Sequence, residues 1–136
     1  MSYYLFLDDE RFPNQVTWIQ LPQVEYWVIV RNYDEFVKVI SERGLPKHIS
    51  FDHDLGESAY SEYRRAMFVD NDRVFKYNNI KEKTGYHAAK WLIDYCIENE
   101  LKTFPTFTVH SMNPIGKTNI VSLISSYLRS CGQNPI

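Results

Sequence analysis

Three polar clusters in this sequence carry residues able to do chemistry, and each follows directly on a short apolar run. Asp8-Asp9-Glu10-Arg11 follows residues 3–7, Asp52-His53-Asp54-Leu55-Gly56 follows residues 48–51, and His110-Ser111-Met112-Asn113-Pro114 follows residues 106–109. Neighbouring carboxylates repel one another unless a cation or a guanidinium neutralises them. Asp8, Asp9 and Asp52 brought together would make a hard oxygen site for Mg²⁺ or another divalent cation. The plainer alternatives are a solvated acidic turn for the first cluster and a polar cap over a helix start for the second.

Histidine exchanges a proton near neutral pH, so His53 and His110 are candidates for general acid and base. Two histidines flanking a phosphate can open or form a cyclic phosphate by acting in turn, with Asp54 orienting one of them or joining the metal. Period-2 alternation would send Asp52 and Asp54 one way and His53 the other, unless the strand has already ended. The third cluster stands between a strand and a helix, where free backbone N–H groups favour an anion. Ser111, Asn113 and Lys117 are therefore expected phosphate contacts, together with Arg11. Gly116-Lys117-Thr118 resembles the end of a P-loop, but the glycine required five positions earlier is Ser111, and Pro114 removes one N–H. A simpler anion site is the better reading. His48 and His87 lack such company and read as structural or exposed.

The elements that must position these clusters are legible from pattern. Residues 3–7, 26–30, 48–51 and 106–109 are short apolar or β-branched runs, expected as strands. Residues 15–25 have no helical period. Asn32 or Asp34 caps a helix with Phe36, Val37, Val39 and Ile40 inward, stopped by Gly44 and Pro46. Thr84 caps a second helix whose stripe is Ala88, Ala89, Trp91, Leu92, Ile93, Tyr95 and Cys96, and a last helix carries Ile120, Leu123, Ile124, Tyr127 and Leu128. Trp27 and Trp91 are expected in the core. Residues 57–83, rich in tyrosine and charge, read as an insertion that forms a solvated flap or stacks a base. Helices alternating with short strands predict a parallel sheet with its ligand beyond the carboxyl ends of the strands, where all three clusters would meet.

Composition bounds the function classes. The chain has 136 residues, a net charge of −2 and two cysteines. That is the length of one domain, 1–136, with no disulfide framework and no strongly basic surface for duplex DNA. No run approaches a membrane span and no signal peptide opens the chain, so a soluble cytoplasmic protein is expected.

Residues 5–11, 51–56, 84–92 and 110–114 together resemble the cyclic-phosphate processing receiver-like domain family, a divergent relative of response-regulator receivers found in bacteria and their phages. The resemblance implies a flavodoxin/receiver-like three-layer sandwich with a short, mainly parallel sheet. It implies that Asp8, Asp9 and Asp52 occupy the receiver acidic pocket, with Asp52 at the phosphoacceptor position and Ser111 at that of the small hydroxyl residue after the fourth strand. No fifth strand bearing the receiver lysine is visible, and no helix lies between the first two strands. The function implied is metal-dependent processing of a cyclic phosphate on a nucleotide or RNA end, by a phosphodiesterase-type hydrolase. The alternatives are a phospho-accepting signalling domain and a non-catalytic nucleotide- or protein-binding module, with a bacterial or a phage origin open under either.

Overall fold

The computed structural model describes residues 2–132. Four strands, β1 (Tyr4–Leu7), β2 (Val28–Val30), β3 (His48–Phe51) and β4 (Thr106–Val109), form one sheet in the order β2-β1-β3-β4. Every pairing is parallel, so all four carboxyl ends lie at one edge. The helices are α1 (Tyr33–Arg43), α2 (Glu57–Arg64), α3 (Gly85–Glu98) and α4 (Pro114–Ser130). The expected α/β, receiver-like class is the one observed.

The two faces of the sheet are unlike. Leu5, Leu7, Val28, Val30, Ile49, Phe51 and Val109 point to one face and pack with Phe36 and Ile40 of α1, Leu92 of α3 and Ile120 and Ile124 of α4. Residues of the other parity point to the opposite face, where Phe6 and Ile29 meet Val16, Ile19, Leu21 and Trp27. This face is covered by the irregular chain of residues 12–25, whose one regular turn is a 3₁₀ turn at Pro13–Gln15. The third layer expected of the sandwich is thus built from loop instead of helix, as the missing helical period of residues 15–25 requires. Among the described residues there is no fifth strand, and no helix is long and apolar enough to cross a membrane.

Local signals account for the helix boundaries. Asn32 caps α1 by accepting the N–H of Glu35, and the helix stops at Gly44, whose φ of 83° is left-handed. His87 earns its place in the cap of α3, where its Nδ1 accepts the Thr84 N–H at 2.9 Å. Residues 57–83 are held by a charged hub. Arg65 binds Glu62, Asp70 and Asp72, while Glu62 accepts the Lys76 N–H at 2.8 Å and the Asn79 amide at 2.9 Å. That hub fixes Phe75 and Tyr77 against the end of β3.

The first residue of α3 locks onto the same strand end. Gly85 donates its N–H to the His53 carbonyl at 2.9 Å, and a Cβ there would stand 1.8 Å from the Asp52 carbonyl oxygen. Only glycine permits that approach. Gly85→Ala is expected to cost about 3 kcal/mol or more by overpacking against backbone that cannot move aside, read as a fall in the urea midpoint. A midpoint equal to that of the wild type would show that this contact does not hold the strand end.

Candidate active site

Register builds the site. Leu7, Phe51 and Val109 are aligned across β1, β3 and β4, so the next residues, Asp8, Asp52 and His110, emerge side by side at the carboxyl edge. The sheet's hydrogen bonding continues past the strand ends to fix them: Asp8 N–H to Val30 O at 3.1 Å, Asp52 N–H to Leu7 O at 2.9 Å and His110 N–H to Phe51 O at 2.9 Å. A ligand atom from each of the three lies within 4.8 Å of the others, and all three residues are buried.

Asp8 is the most heavily bonded of them. Its Oδ1 accepts the N–H groups of Glu10 at 3.0 Å and Arg11 at 2.8 Å, and its Oδ2 accepts from His110 Nε2 at 3.0 Å. The Arg11 guanidinium stands 3.6 Å away, and Arg31 clamps the turn by donating to the carbonyls of Asp8 and Arg11. Burial works to raise the Asp8 carboxyl, but the bonds from His110, Arg11 and Glu10 overcome it and hold the group at about 2.

Asp52 is in the opposite position. Burial and the charge of Asp8 push its carboxyl well above the ordinary range, with Asp54 and Asp9 adding to the repulsion and the His53 N–H opposing it. Asp9, exposed on the turn, is raised to about 6 by desolvation of its carboxyl and by Asp8 and Glu10. It stands outside the close group of Asp8, Asp52 and His110. Two buried carboxylates in mutual repulsion, with a third at the rim, are the donor set that a hard divalent cation neutralises, and the Asp8–Asp52–His110 group could hold a metal ion.

His110 is fully buried. Its ring lies flat on Phe6, with centroids 4.5 Å apart, on the sheet face covered by residues 12–25. Its Nδ1 meets the Ser50 hydroxyl at 2.7 Å, and Trp18 Nε1 donates to its carbonyl at 2.8 Å. Burial lowers its basicity, and Asp8 only partly offsets that.

His53 goes elsewhere. One residue beyond Asp52, it turns toward the helical face, where it is fully buried against Phe75 and Tyr77. A Cβ on Gly116 of α4 would stand 2.3 Å from its Cγ. Nδ1 bonds Asp54 Oδ1 at 2.6 Å and Nε2 bonds the Tyr77 hydroxyl at 2.8 Å. The two histidines expected to flank one phosphate share no hydrogen-bond partner among the described residues. Alternation therefore holds through His53 and ends at Asp54, where the chain bends back to orient that histidine.

The expected anion cradle at α4 is also already engaged. Asn113 Oδ1 accepts the N–H groups of Ile115 and Gly116, each at 3.0 Å, and Asn113 Nδ2 donates to Asp54 at 3.1 Å. The Ser111 hydroxyl accepts the Asn113 N–H at 3.1 Å. Asn113 thus caps its own helix and ties it to the second cluster. Lys117 lies in the first turn of α4, and Arg11 stays at the rim, its guanidinium 5.2 Å from the Trp18 ring centroid and near Met112. Ser50, Trp18 and Tyr77 are site neighbours that motif reasoning passed over. The signal for Ser50 was present in the alternation of His48 and Ser50 with Ile49 and Phe51.

The family model of the cyclic-phosphate processing receiver domain matches residues 3–126. The chain belongs to that family. No curated protein and no solved structure matches it. Membership in the family links the chain to cyclic-phosphate processing, and the resemblance read from its motifs is thereby established.

Asp52→Asn removes the charge that burial and Asp8 oppose. In metal-free buffer the variant is expected to melt roughly 3–8 °C above the wild type at pH 8. A carboxyl whose folded pKa is raised destabilises the fold above that pKa and not below its unfolded pKa. The gap should therefore close as pH falls toward 4. A gap that is absent at pH 8, or that widens on acidification, would show Asp52 to be stably ionised without a cation.

Proposed function

We propose that the protein is a metal-dependent phosphodiesterase that hydrolyses a cyclic phosphate on a nucleotide or an RNA end. The observation that carries this function is the convergence of two buried carboxylates and one buried histidine at the carboxyl edge of a parallel sheet, in a chain of the cyclic-phosphate processing family.

Asp8 and Asp52 would hold Mg²⁺ or another divalent cation, with Asp9 at its rim, and the ion when bound would offset phosphate charge and polarise the phosphoryl group. Arg11, hinged beside Asp8, would pair with a non-bridging phosphate oxygen. Ser111 at the end of β4 and Lys117 in the first turn of α4 are the further phosphate contacts. Asn113 supports the site through its cap and its bond to Asp54.

His110 carries the proton chemistry. Its Nε2 faces the carboxylates, within reach of an oxygen bound between them, and Phe6 fixes the ring plane. His53 is assigned a positioning role: with both nitrogens bonded and no exposure, it braces Asp54 and the turn after Asp52. A cytoplasmic location suits a nucleotide substrate.

His110→Ala is expected to lower turnover of 2′,3′-cyclic nucleotides by about 10²–10⁴-fold, while thermal stabilisation by Mg²⁺ or Mn²⁺ persists. Asp8→Ala should abolish both. Unchanged turnover in His110→Ala would remove the acid–base assignment. Appearance of a labile phosphate adduct on Asp52 after incubation with a small phosphodonor and Mg²⁺, without cyclic-phosphate hydrolysis, would instead establish a phospho-accepting signalling domain.

A further inference from the structure

Of the three tryptophans in the chain, two are accounted for by packing. Trp27 meets the rings of Tyr4 and Phe6, and Trp91 meets those of Phe36 and Tyr95. Trp18 joins neither apolar cluster and keeps 36% of its surface exposed. It is nonetheless held in place, because its Nε1–H donates to the His110 carbonyl at 2.8 Å. That bond fastens an indole ring to the end of β4, beside the acidic edge. A tryptophan anchored by its polar edge, with ring surface left in solvent, calls for a reason beyond packing.

Trp18 is not alone at this rim. Met112, two residues beyond His110, is 57% exposed, and Phe12 is 51% exposed. Arg11 connects them to the site. Its Nη1 lies 3.6 Å from Asp8 Oδ2, its guanidinium carbon lies over the Trp18 ring at 5.2 Å from the centroid, and its Nη2 lies 3.8 Å from Met112 Sδ. One flat guanidinium thus spans from a buried carboxylate to an indole and a thioether. Arg31 fixes the backbone here by donating to the Arg11 carbonyl at 2.6 Å, while its own guanidinium lies over Phe12 at 4.7 Å. Isolated apolar side chains on a surface need no explanation, but three gathered around one arginine of a phosphate site do.

The chemistry of this rim suits a flat aromatic group attached to an anion. Indole and thioether are polarisable and offer dispersion contact to a ring. The indole N–H is engaged on His110, so recognition runs through the ring face, by stacking, which every nucleobase supports. The interval also fits: a single guanidinium bridges the carboxylate and the indole, much as a ribose separates a phosphate from its base. A ligand that is only an anion would have no use for Trp18 and Met112, and an apolar ligand would have none for Arg11.

From this arrangement we infer that Trp18 and Met112 form a stacking platform for the nucleobase of the substrate, so that the site takes nucleoside cyclic phosphates in preference to cyclic phosphates without a base. This inference rests on the hydrolytic role proposed above and deepens it by naming what holds the rest of the substrate. Arg11 turns from the indole onto a phosphate oxygen, and the base takes the indole face that the guanidinium covers. The exchange couples the two halves of the substrate: the phosphate draws the arginine across, and the base fills the place beside Trp18. Such a contact is as strong in the ground state as in the transition state, so it acts on KM and not on kcat.

The test compares adenosine 2′,3′-cyclic phosphate with methyl riboside 2′,3′-cyclic phosphate, the same cyclic ester without a base. In the wild type the nucleoside ester is expected to have the lower KM, by about 5- to 100-fold. Trp18→Ala should bring the two KM values together, and Trp18→Phe, which keeps a ring, should retain most of the difference. Met112→Ala, at an exposed position where folding is not at stake, should narrow the ratio about 2- to 5-fold. A purely structural role of Trp18 at the end of β4 would impair both esters alike and leave their ratio as in the wild type, which would overturn the platform. Binding is read apart from turnover by calorimetry of the full chain in Mg²⁺, with adenosine 3′-monophosphate and with inorganic phosphate. The wild type should bind the nucleotide more tightly, and Trp18→Ala should bind the two with similar affinity. Equal affinity of the wild type and Trp18→Ala for adenosine 3′-monophosphate, or no binding to the wild type, removes the platform whatever the activity. If base-dependent binding is lost as expected but the wild type hydrolyses neither ester, the platform stands as a nucleotide site and the hydrolytic role fails.

Discussion

Two carboxylates buried side by side, one ionised and one forced to resist ionisation, govern the architecture of this protein. Asp8 is held down at about 2 by three donors, and its charge is one of the forces that push Asp52 up. Such a pair is costly in an empty fold, because burial removes the water that would screen it. The surrounding structure is organised to keep the pair in place. Arg31 clamps the turn after β1, Gly85 presses α3 onto the Asp52 carbonyl, and sheet hydrogen bonds extend one residue beyond β1, β3 and β4.

The sheet separates two tasks. Its helical face carries the large apolar core and, at the carboxyl edge, the His53–Asp54–Asn113–Tyr77 cluster that joins α4 and residues 57–83 to the end of β3. Its other face carries a small apolar cluster and a row of polar side chains that ends on His110. A helix over that second face would demand apolar residues along all four strands. The irregular cover of residues 12–25 does not, and it also delivers Trp18 to the His110 carbonyl. Among the described residues, the lack of an α-helix between β1 and β2 and the polar side chains of His48, Ser50, Thr106 and Thr108 on this face are thus two aspects of one arrangement.

Much of this was legible beforehand for identifiable reasons. The strands are short apolar runs closed by charge, α1 and α3 carry caps at Asn32 and Thr84, and Gly44 ends α1 as its position suggests. A parallel sheet gathers its carboxyl ends, so the meeting of the first and third clusters with Asp52 followed from topology. The status of His53, Asn113 and His48 did not follow. An asparagine that caps its own helix and one left free for a ligand are identical in sequence, and the difference lies in whether its amide can also reach Asp54. His48 read as unremarkable because its partners, Thr106 and Thr108, are about 60 residues away.

By itself, the sequence determined the order of the elements, the parallel sheet, the residue types at each strand end and, through its motifs, membership in the cyclic-phosphate processing receiver family. These depend on periodicity, capping and composition, which are local properties of the chain. Tertiary structure alone decided which of those residues share a pocket. Alignment of Leu7, Phe51 and Val109 across three strands sends Asp8, Asp52 and His110 to a common point and, one residue later, sends His53 to the opposite face. Side-chain direction reverses with every residue of a strand, so a single step of register separates a residue in the site from one that braces it from behind.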